Sequence, residues 1–233
     1  MIKFLKFLGT IVLDIFFPPF CCNCQKFGTY LCHTCYRQID FIPMPLEITS
    51  TEKYLEKIYV TAHYQGVIKK LIQTYKYKSV KDISKVIAEL IWYSTALPDV
   101  DLITPIPIKD RKLKKRGFNQ TEEICKHLSI LMGKPYLNSL IKVGNYKSQA
   151  SMESKRGRLN NLKDTFRINP QFKKYIESKD DLNKGKEISK NRIDSILIID
   201  DVMTTGTTLN EAAKVLKKLG IKNIYGFAIA HGN

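Results

Sequence analysis

The chain has 233 residues, which suits one α/β-sized core with a small appendage better than two full domains. Hydrophobic residues at 44% and charged residues at 26% lie near the globular average, excluding a wholly disordered chain and a polytopic membrane protein. Thirty-eight Lys and Arg against 22 Asp and Glu leave a net charge of +16, a field that favours nucleic acid, phosphorylated small molecules or anionic lipid unless it reflects skewed composition alone.

Residues 1–20 are strongly apolar and led by Lys3 and Lys6, which imitates a secretory signal. Asp14 interrupts the run, Pro18 and Pro19 stop a helix, and no small-x-small cleavage site follows. The uncharged stretch also falls short of the roughly 18 residues that span a bilayer. The segment reads as an amphipathic helix docked on its own protein; at most it makes a peripheral membrane contact. Five of the six cysteines then crowd into residues 21–35. Cys21-x2-Cys24 and Cys32-x2-Cys35 are two knuckles seven residues apart, with Gly28-Thr29 turning the spacer. Four thiolates so spaced suit one tetrahedral Zn²⁺. Two disulfides or an iron–sulfur cluster are the alternatives, the first belonging to exported chains. Cys22 and His33 break the spacing and are left outside the ligand set.

Pro43, Pro45 and the extended stretch 57–62 read as a linker followed by one or two strands, with the main core beginning near Tyr64. From Asp82, the positions Ile83, Val86, Ile87, Leu90 and Ile91 predict a packing helix, and Ile124, Leu128 and Leu131 another, with Cys125 on its apolar face as a small core residue. Between them residues 101–108 form a β-branched run, and 195–199 and 223–230 are two more. Strands alternating with helices imply a parallel sheet covered on both faces. Residues 169–192 carry many Lys, Asp and Glu and few large apolar side chains, and read as a solvated flexible insertion.

The strand at 196–199 ends in Asp200 and Asp201 and runs through Thr204, Thr205, Gly206, Thr207 and Thr208 into a helix over about 209–219, stopped by Gly220. Free N–H groups at a helix start, the dipole behind them and small residues make an anion site at a strand's carboxyl end. Two carboxylates beside it would repel the anion, so vicinal hydroxyls are their targets, directly or through Mg²⁺. The combination specifies a ribose 5-phosphate.

Residues 196–208, four apolar residues, two acids, two more residues and Thr-Thr-Gly-Thr-Thr, resemble the signature of type I phosphoribosyltransferases, whose substrate is phosphoribosyl pyrophosphate. Three further blocks, 64–78, Pro105-Ile-Pro107 with 115–120 (Lys-Arg-Gly-Phe-Asn-Gln), and 149–160, together with the Cys cluster, are similar to the ComF family of competence-associated proteins. The resemblance implies a type I phosphoribosyltransferase-like parallel sheet flanked by helices, with a small N-terminal zinc-binding module. It divides the chain into an N-terminal segment 1–20, a four-Cys module 21–40, a linker or hood 41–63 and the main domain 64–233, with 169–192 as an insertion. It also implies that Lys109 and Arg116, with Arg111, Lys112, Lys114 and Lys115 nearby, face pyrophosphate, and that 144–161, with Lys147, Gln149, Arg156 and Arg158, is a mobile lid. No catalytic acid or base is named. The implied biology is cytoplasmic handling of incoming single-stranded DNA during natural transformation, beside a helicase-like partner. A phosphoribosyltransferase in nucleotide salvage with an unidentified acceptor is the alternative.

Overall fold

The computed structural model describes residues 18–43, 54–77, 80–143, 165–181 and 192–232. Most of the expected N-terminal amphipathic segment and the whole expected lid therefore lie outside the described residues. The elements in chain order are α1 (His33–Tyr36), β1 (Ile58–His63), α2 (Gly66–Tyr77), α3 (Ile83–Ser94), β2 (Leu102–Pro105), α4 (Asp110–Arg116) and α5 (Gln120–Met132). There follow β3 (Leu140–Lys142), β4 (Phe166–Ile168), α6 (Pro170–Asp181), β5 (Ser195–Met203), α7 (Thr207–Lys217) and β6 (Asn223–His231).

Four strands form an all-parallel sheet in the order β1-β6-β5-β2. The run Ile196, Leu197, Ile198, Ile199 is wholly buried, as a strand covered on both faces must be. Side-chain alternation divides it: Leu197 and Ile199 pack with the apolar stripes of α2, α3 and α5, whereas Ile196 and Ile198 pack with α7 and the β3–β4 hairpin. In α2 the stripe is Val67, Ile68, Leu71, Ile72 and Tyr75; in α7 it is Leu209, Ala212, Ala213 and Leu216. The small alanines let α7 lie close on the sheet.

The strand expected after the linker is present as β1, hydrogen-bonded alongside β6 with Ile58, Val60 and Ala62 buried. One expectation needs correction. The stretch from 169 is not a solvated insertion throughout, because α6 occupies its first half. Asn169 Oδ1 accepts the Gln171 N–H at 3.0 Å, Pro170 pre-sets the first helical φ, and Phe172 is buried with Tyr175 and Ile176 packed against the same core. Residues 182–191 lie outside the described residues.

The antiparallel pair β3–β4 continues through a Val143 N–H bond to Thr165 O at 2.9 Å, so the two ends of 144–164 are tied together. The Cys module is no separate bead. Cys21, Cys32, Cys35 and Ile39 share the apolar cluster of α2 and α3. Among the described residues no helix is long and apolar enough to cross a membrane.

Candidate functional site

The carboxyl end of β5 carries Asp200 and Asp201, and after Met203 the chain turns through 204–206 into α7. Gly206 makes the turn at φ +73°, where a Cβ would meet Ile58 Cδ1 at 3.0 Å and Met203 Cε at 3.4 Å, so a side chain there is both strained and crowded. No side chain caps α7, and its first turn holds no acid. The open N–H groups and the positive end of the helix dipole therefore face a small cavity of about 70 Å³, lined by Asp200 and by Thr204 to Thr208. The Thr205 and Thr207 hydroxyls stand 2.7 Å apart beside it. Such a set can hold a dianionic group by hydrogen bonds without a basic side chain.

The two carboxylates leave opposite sides of the strand. Asp201 Oδ2 pairs with Lys76 Nζ of α2 at 2.8 Å, with both side chains mostly shielded from water. Asp200 Oδ1 accepts the Asp201 N–H at 2.8 Å. Burial and the Asp201 charge push the Asp200 carboxyl up to about 7, against the pull of that N–H, Lys76 and Lys142. Lys142, at the end of β3, has its ammonium pushed down by burial; Lys109 and Lys112 push the same way while Asp200 and Asp201 oppose them. Lys142 thus lies in the field of both acids and of Lys109 and Lys112.

Arg116 Nη1 donates to Gln120 Oε1 at 3.0 Å. The neighbouring residues are largely structural. Phe118 is buried against Tyr75, and Asn119 Nδ2 and Thr121 Oγ1 both donate to Ile106 O, anchoring the segment after β2. Gln120 is 1% exposed and its Nε2 has no partner. Gln149 and Arg158, like Lys147 and Arg156, lie outside the described residues. Lys76 and Lys142 were not assigned to the site from sequence. Lys76 follows the buried Tyr75 in the α2 stripe, which was the available signal, whereas Lys142 carried none.

The sulfurs of Cys21, Cys24, Cys32 and Cys35 all lie within 4.8 Å of one another. Cys24 Sγ and Cys32 Sγ are 3.5 Å apart, far beyond an S–S bond of about 2.05 Å. That separation is close to the about 3.8 Å expected between two thiolates on a tetrahedral ion with 2.3 Å bonds. Burial pushes the Cys21 thiol up, but the N–H groups of Cys24, Cys32 and Asn23 outweigh it and bring it down to about 6. A thiolate so prepared is a ready metal ligand, and the four cysteines can hold a metal such as zinc. Cys22 stays outside the cluster, pushed up to about 12 by burial and by the Cys21 charge. Cys125 is wholly buried in the core, where burial raises its thiol well above the ordinary value, and it has no reactive character.

A parallel sheet flanked by helices, with the acid-rich strand running into a threonine loop, is the architecture of a phosphoribosyltransferase-type domain. Residues 162–232 match the family described as phosphoribosyl transferase domain. The chain is 26% identical over 226 residues to Competence protein F of Haemophilus influenzae, covering 91% of this chain and 84% of that one. It is 25% identical over 176 residues to the DNA utilization protein YhgH of Salmonella typhi, covering 72% and 69%. To Competence protein ComFC of Streptococcus pneumoniae it is 26% identical over 166 residues, covering 71% and 64%. The relatives and the Cys cluster bear out the resemblance to the ComF family read in the sequence.

Proposed function

We propose that the protein binds phosphoribosyl pyrophosphate and acts in the cytoplasm in handling single-stranded DNA during uptake. Thr204, Thr205, Gly206, Thr207 and Thr208 hold the 5-phosphate, and Asp200 and Asp201 hold the ribose hydroxyls directly or through Mg²⁺. Lys109 compensates the pyrophosphate charge, with Arg116, Gln149 and Arg158 as further candidates and 144–161 as the lid. Zn²⁺ on Cys21, Cys24, Cys32 and Cys35 is structural in the module at 21–40, and 41–63 forms the linker or hood. The observation that carries the reading is the acidic pair at the end of β5 and the uncapped α7 N-terminus joined by one short loop. Asp200, which lines the cavity at the loop, is an oxygen donor that suits Mg²⁺; bound there, the ion would neutralise negative charge beside the ribose.

The DNA role rests on the relatives named for competence and DNA utilization, on the net charge of +16, and on α4, where Arg111, Lys112, Lys114 and Lys115 are all exposed. A helicase-like partner is part of the same reading. Calorimetry with phosphoribosyl pyrophosphate and Mg²⁺ tests the site. Asp200→Asn and Asp201→Asn should each weaken binding about 10- to 100-fold, the worth of a charge-assisted hydrogen bond, with zinc content unchanged. Wild-type affinity in the folded double variant, or failure of the wild type to bind, overturns the assignment. The match to a transferase domain favours a second reading, salvage transfer to an unidentified acceptor. Pyrophosphate release that depends on an added base would establish it.

A further inference from the structure

A groove of about 470 Å³ runs between the Cys module and α3, and it shares no lining residue with the cavity at the threonine loop. One wall is Leu31, His33 and Tyr36 of the module. The other is Val86, Glu89, Leu90 and Tyr93, spaced i, i+3, i+4 and i+7 along one face of α3. That helix is more apolar than its core stripe requires. Ile83, Ile87 and Ile91 are wholly buried, yet Trp92 and Tyr93 on the same helix are 40% and 76% exposed. A helix apolar on its outer side as well as its inner one has room for a second partner. The lining also excludes one class of partner: in a chain of net charge +16, these walls hold no Lys or Arg with which to bind a polyanion.

The chain itself supplies an occupant. In residues 1–17, Leu5, Leu8, Val12 and Ile15 recur at spacings of three, four and three, an apolar ridge at helical period, while Lys3, Lys6, Thr10 and Asp14 fall on the opposite side. The segment joins the module beside the groove. Pro19 O accepts the Gly28 N–H at 2.8 Å and the Cys22 N–H donates to Tyr30 O at 3.0 Å, so Cys22 touches the residue before Leu31. The four steps from Cys22 back to Pro18 span at most about 14 Å. A helix over 1–17 would be about 25 Å long, enough to run the length of such a groove. Tethered so closely, the segment meets the groove at an effective concentration of millimolar order, well above that of a second copy at micromolar protein. Glu89, half-exposed in the α3 wall, gives Lys3 or Lys6 a carboxylate to pair with, whereas an anionic bilayer would repel Asp14. We propose that residues 1–17 form an amphipathic helix whose Leu5, Leu8, Val12 and Ile15 ridge docks in this groove and clasps the Cys module to α3.

Hydrogen–deuterium exchange of the full-length zinc-loaded protein at micromolar concentration reads the docking directly, because a seated helix protects its amides. Amides of residues 5–16 should exchange at least about tenfold more slowly than an unstructured chain, the protection of a segment docked nine-tenths of the time or more. Leu8→Asp with Val12→Asp, in the segment, and Tyr93→Asp, at an exposed position of the groove wall, should each return those amides to the unstructured rate. Retained zinc shows that each variant is folded, and the segment variant alters no residue of the described core, so it decides the matter if Tyr93→Asp loses its metal. Unprotected amides in the wild type overturn the proposal, as does protection that survives in a folded variant of either kind. Protection that grows with protein concentration would assign the segment to a second copy instead. Protection that appears only on adding vesicles containing anionic lipid would assign it to a membrane surface, and either result overturns docking in the groove.

Discussion

Asp200 and Asp201 are adjacent, but strand geometry sends their carboxylates to different surroundings. Asp201 meets Lys76, while Asp200 is left beside a like charge in a poorly hydrated place and rises to about 7. Its folded value lies above the unfolded value of about 3.9, so as pH rises the unfolded chain loses this proton first. Its contribution to stability is therefore intact below about pH 4 and is lost as pH climbs to about 7. Asp200→Asn removes the penalty and should stabilise the ligand-free protein by on the order of 1–2 kcal/mol at pH 8, with little difference at pH 4. Urea unfolding at both pH values measures this; a variant no more stable than wild type at pH 8 would contradict the account.

At the scale of elements, α6 is the instructive case. Its density of Lys, Asp and Glu hid a helix whose inward residues Phe172, Tyr175 and Ile176 are spaced by three and one. Phe172→Ala should cost about 3–4 kcal/mol in urea unfolding if the helix is packed as described, whereas a solvated loop would lose under about 0.5 kcal/mol. The β5–α7 unit was legible because each of its signals is local: four buried apolar residues, two acids, small loop residues and a 3.6-residue stripe. The membership of β1 was not, because its partner β6 lies far along the chain and pairing leaves no mark on either segment. The four-Cys cluster was legible from spacing alone. Lys142 was not, since only the β3–β4 fold brings it to the acids, and the groove beside α3 needs two distant segments at once.

At the scale of the molecule, the Cys module and the sheet are one packed body. Cys35 Sγ accepts from Asn23 Nδ2 at 3.3 Å, and Asn23 Oδ1 accepts from Lys70 Nζ of α2 at 2.9 Å, so the knuckles are tied to the helix that also carries Lys69 and Lys76. Metal binding energy is then folding energy for the whole chain. The purified protein should hold about one equivalent of zinc, and Cys32→Ser with Cys35→Ser should remove it and lower the melting temperature of the entire protein, with Cys125→Ser retaining the metal. Elemental analysis with scanning calorimetry reads both quantities; an unchanged main transition in the metal-free variant would refute the coupling. The strand order has a consequence in time as well as in space. Among the described residues β1 pairs in the sheet with β6 alone, and β6 begins at Asn223, about 160 residues after β1 ends at His63. At about 5–20 residues per second, a ribosome takes roughly 8–32 s to cover that distance. Throughout that interval the nascent chain carries an apolar strand without its sheet partner, bonded at most to residues 40–42 along its other edge, a natural client for a chaperone, and β1 can join the sheet only once β6 has emerged.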